Sequence, residues 1–240
     1  MKATLALAGV LALAAAHLAF GADTGGQEKG APSEPAFRPA FFSPELTNRY
    51  FPWANVERTV LEGRQKVDGK VVAIREVATR GNQHINISGV LTTYLEVLAY
   101  TGRHLDERAK DYFAQGKDGW VYYLGEDVDE FENGKVVHAG SWKVGWNETE
   151  PQRFVPRYPA KVGMRFNQES VPGVAVEQVT IVGVDETVKT PAGTFRHCLH
   201  WKEYDPLSDA YAEKWHAPGV GFVKETFEDG FLVLTKVVRG

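Results

Sequence analysis

From residue 56 to the C-terminus, apolar and polar side chains alternate with a period of two, in runs broken by Gly, Asp and Pro, and the three-to-four-residue spacing of an amphipathic helix is scarce. The alternating runs fall at 56–67, 70–79, 88–100, 105–115, 119–125, 164–169, 175–189 and 194–204, with further ones toward the end. They predict an all-β chain, an antiparallel meander of about ten strands. A single sheet of that size curls or splits, so the expected architecture is a curved sheet, a barrel or a half-barrel.

The punctuation between runs sets expected registers. A two-residue turn at Asp68-Gly69 places Glu62 opposite Arg75, a favourable cross-strand pair. Asp229-Gly230 reads the same way and would pair Thr226 with Val233 and Phe222 with Val237. A four-residue loop over 206–209 sets Lys202 against Glu213 and His200 against Trp215. A turn over 116–119 faces Tyr112 with Tyr123 and Phe113 with Tyr122, with Asp111 on the face of Ala109 and Phe113. Residues 146–159, with Pro151, Pro156 and Pro159, lack alternation and read as a binding loop or a plain crossover.

The N-terminus has a different character. Lys2 precedes an almost wholly apolar run over 3–20, and Ala19-Phe20-Gly21 puts small residues where a signal peptidase needs them, which predicts a signal peptide over 1–21. Residues 22–40 are rich in Gly, Pro, Glu and Ser and read as a disordered leader to a single domain over 41–240. The expected destination is the periplasm or the exterior, without stable membrane insertion after cleavage. Cleavage removes one lysine and leaves 26 basic against 31 acidic residues, with no basic stripe for nucleic acid. Cys198 is the only cysteine, so no internal disulfide forms.

Four groups of residues could carry chemistry. Asp111, on a strand face otherwise lined by aromatics, would be a buried carboxylate with a raised pKa, the state of a general acid or of a satisfied core residue. Cys198 and His200, two apart on a strand, could supply half of a metal site or a thiolate and base. Glu126, Asp127, Asp129, Glu130 and Glu132, ending at Asn133-Gly134, offer oxygens to a hard cation or form a solvated hairpin edge. No cofactor is expected, and a divalent metal stays open. Tyr112, Trp120, Tyr122, Trp142, Trp146, Trp201, Tyr211 and Trp215 could line a ligand pocket or fill a large β core.

Three segments, KDYFAQGKDGWVYYLGED with the following ENGK and GSW, TVKTPAGTFRHCLHWKEYDPL, and EKWHAPGVGFVKE, resemble motifs of a family of secreted bacterial proteins. The resemblance spans roughly residues 51–225 and implies export and a β fold, with no activity attached. Gly116 stands where that family has an Asp, and Trp215-His216 where it has a Tyr pair.

No nucleophile elbow, P-loop or dinucleotide fingerprint is present. The reading these features favour is an exported protein that binds a small apolar or sugar-like ligand against Tyr112, Trp120, Tyr122, Trp142, Trp201, Tyr211 and Trp215. The rival is a secreted hydrolase or lyase acting on an envelope or extracellular polymer, with Asp111, Glu126, Glu203 or Glu213 as acid and base. An envelope assembly factor is a third, and it would carry an exposed apolar patch on a sheet edge.

Overall fold

The computed structural model describes residues 37–240 apart from Asn133 and Ala139. The expected signal peptide and residues 22–36 of the expected leader lie outside the described residues. The Phe37 ring, within the expected leader, lies 5.9 Å from that of Phe42.

The chain is all-β and antiparallel, as the alternation predicts, but it holds fifteen described strands rather than about ten. They are β1 (Phe42–Ser43), β2 (Val56–Val67), β3 (Lys70–Ile87), β4 (Val90–Thr101), β5 (His104–Gly116), β6 (Val121–Glu132), β7 (Lys135–Val137), β8 (Trp142–Lys143), β9 (Gln152–Val155), β10 (Arg165–Val171), β11 (Ala175–Thr190), β12 (Gly193–Asp205), β13 (Ala210–Ala217), β14 (Gly221–Phe227) and β15 (Gly230–Arg239). The surplus comes from pieces of two to four residues, too short to show an alternating pattern. One of them, β9, lies inside the stretch expected to be irregular, where it pairs with β6.

The strands form one curved sheet in the order β10-β11-β12-β13-β14-β15-β2-β3-β4-β5-β6-β7. β8 and β9 pair with β6, and β1 pairs with β5. The sheet is not a closed barrel. β9 comes up against β10, but no backbone ladder joins them. The seam is bridged instead by the Gln168 side chain, whose Nε2 donates to the Phe154 carbonyl at 2.8 Å.

The interior is stoppered by the segment ahead of β2, which the alternation left unassigned. Leu46, Tyr50, Phe51 and Trp53 are all buried there. The Phe51 ring lies within 5.5 Å of Phe113 and Phe154, in edge-on contacts worth more than area burial alone. Arg80 fixes the stopper by donating to the carbonyls of Trp53 at 2.6 Å and Ala54 at 2.7 Å.

Registers separate the legible turns from the hidden bulges. Glu62 faces Arg75, Lys202 faces Glu213 and His200 faces Trp215, all as expected. In the β5–β6 hairpin Phe113 faces Tyr123, not Tyr122, because the connection is the three residues 117–119 with Gly116 bonded to Trp120, and a bulge around Leu124 then sets Tyr112 against Gly125. Gly125 has a φ of 132°, and a Cβ there would meet the Trp142 carbonyl. The last hairpin turns at Glu228-Asp229, so Thr226 pairs with Phe231 rather than Val233. Gly230 is a strand residue there. A Cβ on it would lie 2.5 Å from the Arg64 oxygen, so its smallness serves close approach of β2, not a turn.

Candidate functional site

Alternation along the central strands sends a set of ionisable side chains into the interior. Trp201 and Glu203 point inward from β12, Lys214 and His216 from β13, Glu225 from β14, Glu76 from β3, Asp111 from β5 and Glu126 from β6. β10 adds two neighbours in sequence, Gln168 and Glu169. A register shift between Asn167 and Glu169 lets both be buried, where a regular strand would expose one.

Lys214 organises one end. Its Nζ lies 2.5 Å from Glu203 Oε2 and 3.7 Å from Glu225 Oε1, and all three side chains are at most 5 % exposed. Trp201 Nε1 donates to the other Glu203 oxygen at 2.6 Å, and the His216 ring stacks on the Trp201 indole at 4.0 Å. Burial alone would discharge the ammonium, but Glu203, Glu177 and Glu225 outweigh it and hold Lys214 above its ordinary range. Burial drives His216 down to about 3, so that ring is neutral.

The other end is acidic. Asp111 and Glu126 face each other across β5 and β6. The Tyr123 hydroxyl donates to Asp111 at 3.1 Å, and Trp142 Nε1 donates to Glu169 at 3.0 Å. Burial pushes Asp111 and Glu126 well above the usual carboxylate range, and it lifts Glu169 and Glu225 to about 8. At neutral pH Glu169 and Glu225 are mostly protonated, so they donate as well as accept hydrogen bonds. Half-buried Glu107 is raised to about 8 by burial and by Glu130 and Glu76, and half-buried Glu177 is raised by burial and Glu203.

Between the two ends lies a cavity of about 30 Å³. Its lining mixes apolar side chains, among them Phe51, Trp53, Leu95, Phe113, Phe154 and Phe222, with the polar ones of Thr59, Glu76, Gln168, Glu203, Lys214 and His216. The volume suits about two waters. Gln168 Oε1 and His216 Nε2 are buried there without a hydrogen-bond partner, and so are Asp111 Oδ2 and Glu126 Oε2 nearby.

The sequence candidates are thus divided. Asp111, Glu126, Glu203, Trp142 and Trp201 join the interior cluster. Glu126 is therefore not part of a solvated edge, and only the outward members of its run are: Asp127 pairs with Lys143 and Tyr112, and Asp129 with Arg108 and His138. Glu213, His200, Trp215 and Tyr211 lie on the opposite face of β12 and β13. Trp120 packs on Phe166 under Arg153, Tyr122 lies against Phe41 and Phe42, and Tyr112 neighbours Tyr94, so the eight aromatics do not line one pocket. Trp146 is half exposed. Cys198 is buried with its thiol raised to about 11 by burial, and both His200 nitrogens face carboxylates, Glu186 at 2.7 Å and Glu213 at 2.9 Å. Among the described residues no group of His, Cys, Asp and Glu is arranged to hold a metal ion. Lys214 escaped the sequence reading, although the Lys202–Glu213 register already puts it beside Trp201.

No family model matches this chain, and no curated protein is significantly similar to it. Among solved structures it is similar to a "putative lipoprotein" from Parabacteroides distasonis, at 16% identity and a TM-score of 0.35, over 80% of this chain and 99% of that one.

Proposed function

We propose that this is an exported binding protein that takes a small amphipathic molecule into the interior of its curved sheet. The observation that carries the reading is the cavity lining: aromatic side chains and convergent polar groups share one interior space, several of the polar groups in and around it with strongly displaced proton affinities or unused hydrogen-bonding atoms. Buried polar atoms without partners are costly, which favours a role in recognition over one in stability. The polar head of the ligand would meet Glu203, Lys214 and Gln168, and its body would lie along Phe51, Phe113 and Phe154.

The resting cavity is smaller than a ligand site, so binding requires opening, and the seam between β9 and β10 is the natural place. No backbone ladder has to break there, and Gln168, which lines the cavity, is the latch. The N-terminal apolar run and its cleavage pattern support export. The hydrolase reading gains a facing pair of raised carboxyls in Asp111 and Glu126, but both are sealed from solvent, which disfavours turnover of a polymer.

Native mass spectrometry beside denaturing mass spectrometry of protein purified from its exported fraction tests the proposal. A non-covalent mass lost on denaturation is expected, and Gln168→Ala should speed its exchange. Protein that is empty, and whose Trp201 fluorescence answers to no extract of its native compartment, would sink the reading.

A further inference from the structure

The outer face of β12 and β13 carries a second constellation, independent of the interior. Three cross-strand pairs follow one another along it: His200 with Trp215, Lys202 with Glu213, and Tyr204 with Tyr211. Beside the last two pairs opens a groove of about 340 Å³, lined by Lys202, Tyr211, Ala212, Glu213, Thr226 and Phe227. That volume is within the range of small-molecule sites.

We infer that this groove binds a neutral saccharide, with Tyr211 as the stacking platform and Lys202 and Glu213 as the hydroxyl-reading pair. Tyr211 is 64 % exposed, unusual for a large aromatic, yet it is not loose. Its ring stacks on Tyr204 at 4.6 Å, and the Tyr204 hydroxyl is tied to Asp209 at 3.1 Å. The loop beneath is pinned by Asp205, which accepts from the Leu207 amide at 2.8 Å and the Ser208 hydroxyl at 2.5 Å. A sugar presents a flat C–H face and a rim of hydroxyls, and a rigid aromatic face with hydrogen-bonding groups at its edge is the complementary shape.

The polar rim is equally preorganised. Lys202 Nζ sits 3.0 Å from Glu213 Oε1, while Glu213 Oε2 is held by His200 and His200 in turn by Glu186. Burial would raise Glu213, but Lys202 and His200 outweigh it and keep the carboxylate ionised. An ammonium donor beside a carboxylate acceptor can serve two neighbouring hydroxyls at once, and Thr226, across from Glu213 on β14, adds a hydroxyl. The two charges in the groove cancel, so the site selects a neutral polar ligand over an ion. Its open form suits the middle of a glycan chain rather than an engulfed monomer.

The test titrates the full chain with soluble neutral hexasaccharides of glucose in α- and β-linkage, of xylose and of N-acetylglucosamine, followed by calorimetry and by amide shifts on β12 to β14. At least one should bind. Tyr211→Ala should weaken it by about tenfold or more with an unchanged melting curve, and Tyr211→Phe should retain it. Glu213→Gln should cost a smaller factor. Binding by none of the four, or binding that survives Tyr211→Ala, would overturn the inference. Neither result touches the interior site, whose readout is a bound mass.

Discussion

The two faces of the β12–β13 pair are built from the same parts and behave oppositely. Inside, Trp201 stacks on His216 and gives its indole N–H to Glu203, with Lys214 alongside. Outside, Trp215 stacks on His200 at 4.1 Å and gives its indole N–H to Glu186 at 2.6 Å, with Lys202 and Lys224 alongside. Yet burial drives His216 to about 3, whereas His200 sits between two carboxylates. Glu225, on the inner side, is pushed up to about 8 by burial. On the outer side burial pulls Glu186 and Glu213 the same way, but Trp215 and His200 on Glu186, and Lys202 and His200 on Glu213, carry both below the usual range. The balance between burial and the charges and donors around each group, not residue type, decides which groups are charged.

Removing the cation from each face in turn is the hardest test of that contrast. Lys214→Met leaves buried Glu203 without the cation that it contacts and should cost about 3–5 kcal/mol in urea unfolding, with part recovered on adding Glu203→Gln. Lys202→Met, on the outer face, should cost at most about 1 kcal/mol and lose even that in high salt. Equal costs would mean that the faces do not differ as described.

A pH series sharpens the contrast at intermediate effect. Glu169 and Glu225 keep their protons to about 8 when folded but release them near 4.5 when unfolded. Their contribution is therefore full in acid and declines as pH climbs from 4.5 through 8. Glu186 and Glu213 lie below 4.5 when folded, so theirs is present above that value and lost as pH falls through their lowered pKa values. Melting temperature should fall on the alkaline side through the inner carboxyls, and on the acid side through the outer ones and through inner His216, which stays neutral down to about 3 when folded but charges near 6.5 when unfolded. A flat profile between pH 6.5 and 8, above the range of His216, would count against protonated inner carboxyls.

How much of this was legible follows from what alternation can encode. The loop over 206–209 and the turn at Asp68-Gly69, with φ values of 48° and 77°, set registers that the structure keeps. The place of Asp111 on the aromatic face followed from parity alone. Bulges carry no such signal: one extra residue at Leu124 or Gln168 changes which side chains turn inward without altering composition. Glu203 and Glu213 both looked like candidate acids, and only the tertiary fold sends one into the cavity and leaves the other in an open groove. The stopper at Phe51 and Trp53 was illegible for a related reason, since it is irregular backbone anchored by Arg80 from a distant strand.

The pairing of β15 with β2 has a consequence in time. Among the described strands β2 is the first long one, and it finds one of its two neighbours only in β15, so the halves β2–β7 and β10–β14 are joined into a sheet by a strand that follows all the others in sequence. Hairpins can form early from neighbouring segments, but the interior with its buried lysine and carboxyls is closed only when β15 docks between β14 and β2. A sheet wired in this order stays unfinished, and so threadable, until β15 is in place.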